Sequence, residues 1–214
     1  FKGKKVEVRF LWRTSKTNWV FASYAWNATQ TDAELASESG IANIAEIADG
    51  KSHSIPSVSE CRSCHDSNRT ETLGFSALQL STDRDPNALH AEPPDPGSLD
   101  LTSLVARGIV RGLPRRIAST PPRIAASTPA ARAALGYLST NCGNCHTGAG
   151  ELAPLAFALN YTINRADGEP PPALLTTVGK PSHFKVSSDP DIVERVCAGH
   201  PGKSMIVARM ASTR

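Results

Sequence analysis

Val6, Val8, Phe10 and Trp12 alternate with Lys5, Glu7, Arg9 and Leu11, a period of two that predicts a strand. Polar residues 14–18 follow as a turn, and residues 19–26 are again strand-like, which completes a hairpin. Residues 44–48, then Asp49-Gly50, then residues 51–55 predict a second hairpin closed by a type I′ turn. That pairing sets Glu46 opposite His53 and Ile44 opposite Ile55. All three tryptophans, Trp12, Trp19 and Trp26, fall in this opening segment, so it is expected to pack as a small β module of its own.

Beyond His65 the pattern changes. Pro86, Pro93, Pro94 and Pro96 break any regular period. Asp100 is placed to cap a helix in which Leu101, Leu104, Val105, Gly108 and Ile109 share a face, stopped by Gly112 and Pro114. A second proline-broken stretch runs over residues 114–129. Thr128-Pro129 then opens a helix rich in good helix formers over residues 130–138. Gly148, Gly150, Pro154 and Pro170-Pro171-Pro172 mark loops, and a short helix is expected near residues 201–211, apolar at Met205, Ile206, Val207 and Met210. The fold class is therefore α+β: a small N-terminal β module followed by a mainly α, loop-rich region. Three segments are expected, at residues 1–56, 57–128 and 129–214.

Composition narrows the function. No apolar run approaches the roughly 18 residues that a membrane-spanning helix needs. A formal charge of +3 with no dense Lys/Arg tract gives no reason to expect nucleic acid as a partner. Sixteen prolines and fifteen glycines in 214 residues imply a loop-rich chain, the kind that a covalent or cofactor staple holds together.

The cysteines identify that staple. Cys61-Arg62-Ser63-Cys64-His65 and Cys142-Gly143-Asn144-Cys145-His146 both read C-x-x-C-H, the attachment pattern of c-type haem. Two thiols one short turn apart reach the two vinyl groups of one porphyrin, and the adjoining imidazole becomes the proximal iron ligand. With this composition a shuffled chain would hold such a pattern about 0.003 times, so two by chance is of order one in 10⁵. A zinc ribbon would bring its cysteine pairs much closer together than Cys64 and Cys142 stand, and would leave both histidines unexplained. A thioredoxin-like site explains one motif at most, and disulfides closing four-residue loops are weaker still. Cys197 has no companion thiol and reads as an inert free cysteine, with an iron-ligand or intermolecular role as the alternative.

Around these motifs lie further strings: Tyr24-Ala25-Trp26-Asn27, Thr31-Asp32-Ala33, Ile55-Pro56-Ser57, Leu73-Gly74-Phe75-Ser76-Ala77-Leu78-Gln79-Leu80-Ser81, Pro121-Pro122-Arg123-Ile124 and Arg132-Ala133-Ala134-Leu135-Gly136-Tyr137-Leu138. With the two C-x-x-C-H motifs they resemble a family of bacterial dihaem c-type cytochromes over about residues 6–210. The resemblance implies an N-terminal β module, two covalently bound haem c groups and electron carriage. The helix that delivers Tyr137 and Leu138 ahead of Cys142 is similar to the start of a class-I cytochrome c domain.

A sixth ligand separates electron transfer from catalysis at an open iron. Class-I domains place a distal methionine about 60 residues after the proximal histidine. Met205 and Met210 both follow His146 at about that separation, and their spacing of five is expected to turn them to different faces, so that at most one binds. For the iron at His65 the candidates are His90, in a loop beyond the motif, and His53, on the strand that leads to it. For His53 the alternative is a plain pair with Glu46. His183 and His200 rank lower.

Residues 60–100 carry eight acids against Arg62, Arg69 and Arg84, whereas residues 101–150 carry six arginines and no acid. These arginines, from Arg107 to Arg132, are expected to neutralise haem propionates and the acidic segment, or to dock an acidic redox partner. The expected function is a dihaem cytochrome that exchanges single electrons with redox partner proteins, other cytochromes or a membrane redox complex. The alternatives are a peroxidase-like enzyme with one open haem and a haem subunit of a larger assembly or filament. Covalent haem attachment occurs outside the cytoplasmic membrane, so a periplasmic or extracellular location is expected, with the leader lying outside this chain.

Overall fold

The computed structural model describes residues 3–48, 50–66, 72–83, 95–163 and 168–211. The chain forms two compact units, Phe1–Glu71 and Thr72–Arg214, so the first C-x-x-C-H shares its unit with the β module.

In the first unit, strands β1 (Glu7–Arg13), β2 (Trp19–Trp26) and β3 (Ala33–Leu35) form an antiparallel sheet in that order. The hairpin expected from the alternation is present, closed by Thr14 and Ser15 N–H groups donating to the Asn18 carbonyl. Leu11 pairs with Phe21 and Phe10 with Ala22, so Phe21 and Phe10 lie on opposite faces. The buried face is that of Phe21, at 7% exposure, while Val8, Phe10 and Trp12 remain about half exposed.

Strands β4 (Ile41–Ala48) and β5 (Lys51–Ile55) form the second hairpin, but its register differs from expectation. Ala45, not Glu46, faces His53, and Ile41, not Ile44, faces Ile55. Two irregularities cause this: one between Glu46 and Ala48 shifts the pairing at His53, and one between Ile41 and Ala45, where Asn43 takes φ 52° in the left-handed region, shifts it further at Ile55. The Asn43 N–H donates to Ser54 Oγ at 3.0 Å, and its side-chain carbonyl accepts from the Ser52 hydroxyl. Asn tolerates this conformation better than most residues, because its short polar side chain bonds locally. Gly50 takes φ 68°, as the expected tight turn requires; Asp49 lies outside the described residues.

Helix α1 (Val58–His65) follows immediately. Ser57 Oγ accepts from the Glu60 N–H at 3.2 Å, and Glu60 Oε2 accepts from the Ser57 N–H at 2.8 Å, a reciprocal cap that starts the helix just ahead of the first motif.

In the second unit, helix α2 (Leu101–Ala106) is capped by Asp100 as expected, with Oδ1 accepting from the Ser103 N–H at 2.7 Å. It ends earlier than the apolar pattern implies. Gly108 takes φ 68°, its N–H donates to Val105 O and that of Ile109 to Leu104 O, each at 3.0 Å. The chain therefore turns away, leaving Leu101 and Leu104 buried and Ile109 exposed. Helix α3 (Arg115–Ser119) occupies part of the stretch read only as proline-broken.

Helix α4 (Pro129–Asn141) has Thr128 as its cap and Pro129 at its first turn, as expected. A 3₁₀ turn (Gly150–Leu155), α5 (Pro172–Thr177), a second 3₁₀ turn (Pro201–Lys203) and α6 (Met205–Ala211) complete the unit. The core joins Leu135 of α4 to Ile124, Leu159 and Ala173, with Leu138, Phe157 and Ile206 packed around it. Burying a residue such as Leu135 contributes about 1.5–3 kcal/mol. The architecture is α+β, a β module followed by helices. Among the described residues no helix is long and apolar enough to cross a membrane.

Candidate cofactor sites

The first C-x-x-C-H motif follows from local helix geometry. On α1, Cys61, Cys64 and His65 stand at i, i+3 and i+4, one face of the helix. The His65 ring lies 5.2 Å from the Phe21 ring, at 51° between planes. Arg62 ties α1 to the sheet: its guanidinium sits 5.2 Å from Phe21 and donates to the Trp19 carbonyl at 3.3 Å and to Asp66 at 2.9 Å. Burial pushes the Cys61 thiol pKa up, against the opposing pull of the Arg9 charge.

Glu7 organises the same unit. Its Oε1 accepts from Arg9 at 2.6 Å and from His53 Nε2 at 3.1 Å, while Oε2 is buried with no hydrogen-bond partner among the described residues. His53 therefore pairs with Glu7 on β1 rather than with Glu46, which the shifted register of β4 and β5 sets opposite Ser52. His90 lies outside the described residues.

The second motif begins where α4 ends. Cys142 is its C-cap, donating to Leu138 O at 3.0 Å, and the N–H groups of Cys145 and His146 both turn back to Cys142 O. Gly143 is required here by space: a Cβ would stand 2.6 Å from Ser139 O and 2.8 Å from the Asn160 Cα. That close passage brings in the next segment. Leu159 N–H donates to His146 O at 2.7 Å, and Thr147 and Ala158 form an isolated bridge. The Thr176 hydroxyl holds both the N–H and the carbonyl of Ala158, at 3.1 and 2.9 Å. Phe157 is thereby set in a T-shaped contact with His146, with ring centroids 4.7 Å apart.

His146 and Cys142 border a cavity of about 480 Å³ whose apolar wall includes Leu138, Phe157, Leu159 and Ile206. That volume lies within the range of small-cofactor pockets, about 300–1,000 Å³. Among the described residues His146 Nδ1 is buried with no hydrogen-bond partner. Burial, and then the charge of Arg195, push the His146 pKa down, which keeps the imidazole neutral and able to ligate a metal. A neutral imidazole with a buried Nδ1, an apolar cavity and thiols at Cys142 and Cys145 that are not in disulfides fit a haem held through those three side chains.

Met205 and Met210 border this same cavity, although their spacing was expected to turn them apart. They bracket it: Met205 is 3% exposed and Met210 56%. His183, ranked low from sequence, also lines it, whereas His200 is exposed and is absent from its lining. Phe157 and Arg195 were not legible as site residues, since nothing in their sequence neighbourhood marks them.

Of the basic segment, Arg123 reaches Asp83 at 3.6 Å, and Arg111 and Arg132 donate to the carbonyls of Gly108 and Ile124. Cys197 is half-buried, and burial and Glu194 push its thiol pKa up. None of the five cysteines is bridged, and among the described residues no three Cys, His, Asp or Glu side chains gather as a metal cluster. No protein-family model, curated protein or solved structure matches this chain.

Proposed function

We propose that this chain is a dihaem c-type cytochrome that passes single electrons between redox partner proteins outside the cytoplasm. The observation that carries this reading is the apolar cavity bordered by His146 and Cys142, at the second of two identical C-x-x-C-H patterns. The resemblance of the surrounding strings to dihaem c-type cytochromes supports it.

A bound haem supplies a one-electron iron couple. The chain's own part is to tether and orient it. Cys61 and Cys64, and Cys142 and Cys145, would tether the two haems, and His65 and His146 would each ligate an iron. Phe21 and Phe157 each pack on one of these imidazoles and limit its rotation. Leu138, Leu159 and Ile206 give the cavity at His146 an apolar wall. Met205, Met210 and His183 are the side chains of this cavity able to complete the coordination of that iron, and His53 and His90 remain the proposed candidates at the other.

The test is expression with export and haem-attachment machinery, followed by intact mass, with the Cys61→Ser/Cys64→Ser and Cys142→Ser/Cys145→Ser variants beside it. Two covalent haems are expected in the wild type and one in each variant, both low-spin when ferric. Unmodified thiols, or a different metal on them, overturn the reading. A high-spin haem with rapid peroxide turnover replaces electron carriage with a peroxidase-like activity.

One observation favours a second reading, a haem subunit of a larger redox assembly. Val8, Phe10, Trp12, Val20 and Leu35 are exposed by 40–66% on the sheet of the first unit. Apolar surface of this kind suits burial against a partner. A monomer in sizing of the native protein removes this reading.

A further inference from the structure

Arg195 is 8% exposed and lines the cavity that His146 borders. Its Nη1 donates to the carbonyls of Ala156 and Thr176, each at 2.8 Å, and its Nη2 to that of Leu155 at 2.6 Å. The guanidinium lies 5.0 Å from the Phe157 ring, the same ring that meets His146. Among the described residues no carboxylate comes within ion-pair distance of it. The carbonyl dipoles satisfy three of its five donors but leave a full positive charge uncancelled. Burying such a charge is expensive, and the expense is hard to account for by a tether alone, since a neutral donor would serve as well.

We infer that Arg195 is the fixed cation of this cavity and holds the reduction potential of a haem bound at His146 above the value its axial ligands alone would set. The inference rests on the haem reading given above. Reduction adds one electron, delivered by a one-electron donor protein, and removes one unit of positive charge from the iron centre. A neighbouring buried cation therefore favours the ferrous form. The cation is held in place by its three carbonyls, so it does not need to reorganise when the electron arrives. Arg209 lines the same cavity and stacks 4.3 Å from Phe184, but it is exposed, and water and salt screen its charge.

The test is potentiometric titration of the haem-loaded protein and its Arg195→Gln, Arg195→Met, Arg195→Lys and Arg209→Gln variants. Removing one charge from a site of low effective dielectric shifts a neighbouring charge equilibrium by roughly tenfold. Arg195→Gln and Arg195→Met are expected to move the ferrous/ferric ratio about tenfold toward ferric, about 59 mV for one electron. Arg195→Lys keeps the charge and is expected within about threefold of wild type, as is Arg209→Gln. The shift must persist at high salt. Equal potentials in wild type and Arg195→Gln overturn the inference, as does an equal shift in the Lys, Gln and Met variants, which would be a packing effect. Variants that take up no haem while the wild type does assign Arg195 to folding and overturn it also. Wild-type protein with unmodified Cys142 and Cys145 overturns the haem reading itself, and mass spectrometry reads that first.

Discussion

The rings of His146 and Phe157 meet in a T-shaped contact, at 4.7 Å between centroids and 61° between planes. Backbone bonds bring the two residues together: Leu159 N–H reaches the His146 carbonyl, and Thr176 holds Ala158 from the other side. The contact makes Phe157 a support for the imidazole. Phe157→Leu is expected to destabilise the haem-free protein by about 1 kcal/mol in denaturant unfolding, since an edge-to-face pair contributes about 0.5–1.5 kcal/mol beyond its buried area. An unchanged midpoint would show that the ring contact does not hold the segment.

Gly143 is expected to tolerate no side chain. A Cβ there meets Ser139 O and the Asn160 backbone below 3.0 Å, and backbone cannot swing aside as a side-chain tip can. Gly143→Ala is expected to cost about 1–3 kcal/mol, the range for overpacking. Gly202→Ala is the control, because a Cβ at that position meets nothing within 4 Å. Equal stability of the two variants would contradict the close passage of residues 143 and 160.

The two methionines of α6 are expected to behave differently. Met205 is buried, so Met205→Ala removes core packing and costs about 2–5 kcal/mol. Met210 is exposed by 56%, and Met210→Ala is expected to stay within about 0.5 kcal/mol. In the haem-loaded protein, near-infrared spectra of the same pair identify a thioether ligand: the variant that loses the thioether–iron band has lost it. Retention of that band in both variants removes both residues from coordination.

Stability at acid pH is expected to depend on the cap of α2. The Asp100 carboxyl accepts the Ser103 N–H, and that bond holds its pKa below the ordinary value. The folded state therefore binds this proton less readily than the unfolded state. The contribution is fully present above the unfolded pKa, about 3.9, and is lost as the pH falls through the folded value. Asp100→Asn keeps the accepting oxygen but cannot titrate, so its stability between about pH 5 and 2 is expected to fall less steeply than that of wild type. Parallel curves would show that the cap is not formed.

Local signals were legible wherever a few adjacent residues decide the outcome. The first hairpin, the Asp100 and Thr128 caps and the helix running into Cys142 all depend on neighbours within a turn or a strand pair. The reciprocal cap of Ser57 and Glu60 was equally local, yet α1 was not foreseen, since the cysteines and polar residues that follow show no apolar period. The register of β4 and β5 was not legible, because irregularities between Glu46 and Ala48 and around Asn43, which takes the left-handed region, add residues to one strand without any glycine inside it to announce them. The early end of α2 was decided by Gly108, which the apolar period had absorbed into the helix.

Sequence alone determined which side chains are near neighbours along the chain. Two thiols and an imidazole at the C-x-x-C-H spacing are set by covalent chain geometry, and no long-range packing is needed to read them. The tertiary structure decided what surrounds the second imidazole. Phe157, Arg195, Met205 and Met210 come from separate and increasingly distant points after His146, and His183 from a loop between them. They meet because the Arg195 guanidinium joins residues 155, 156 and 176, and because Met205 and Ile206 N–H groups bond the carbonyls of Glu194 and Arg195. Each of those bonds closes a loop whose entropy local propensity does not reveal, so their outcome appears only when the whole unit packs.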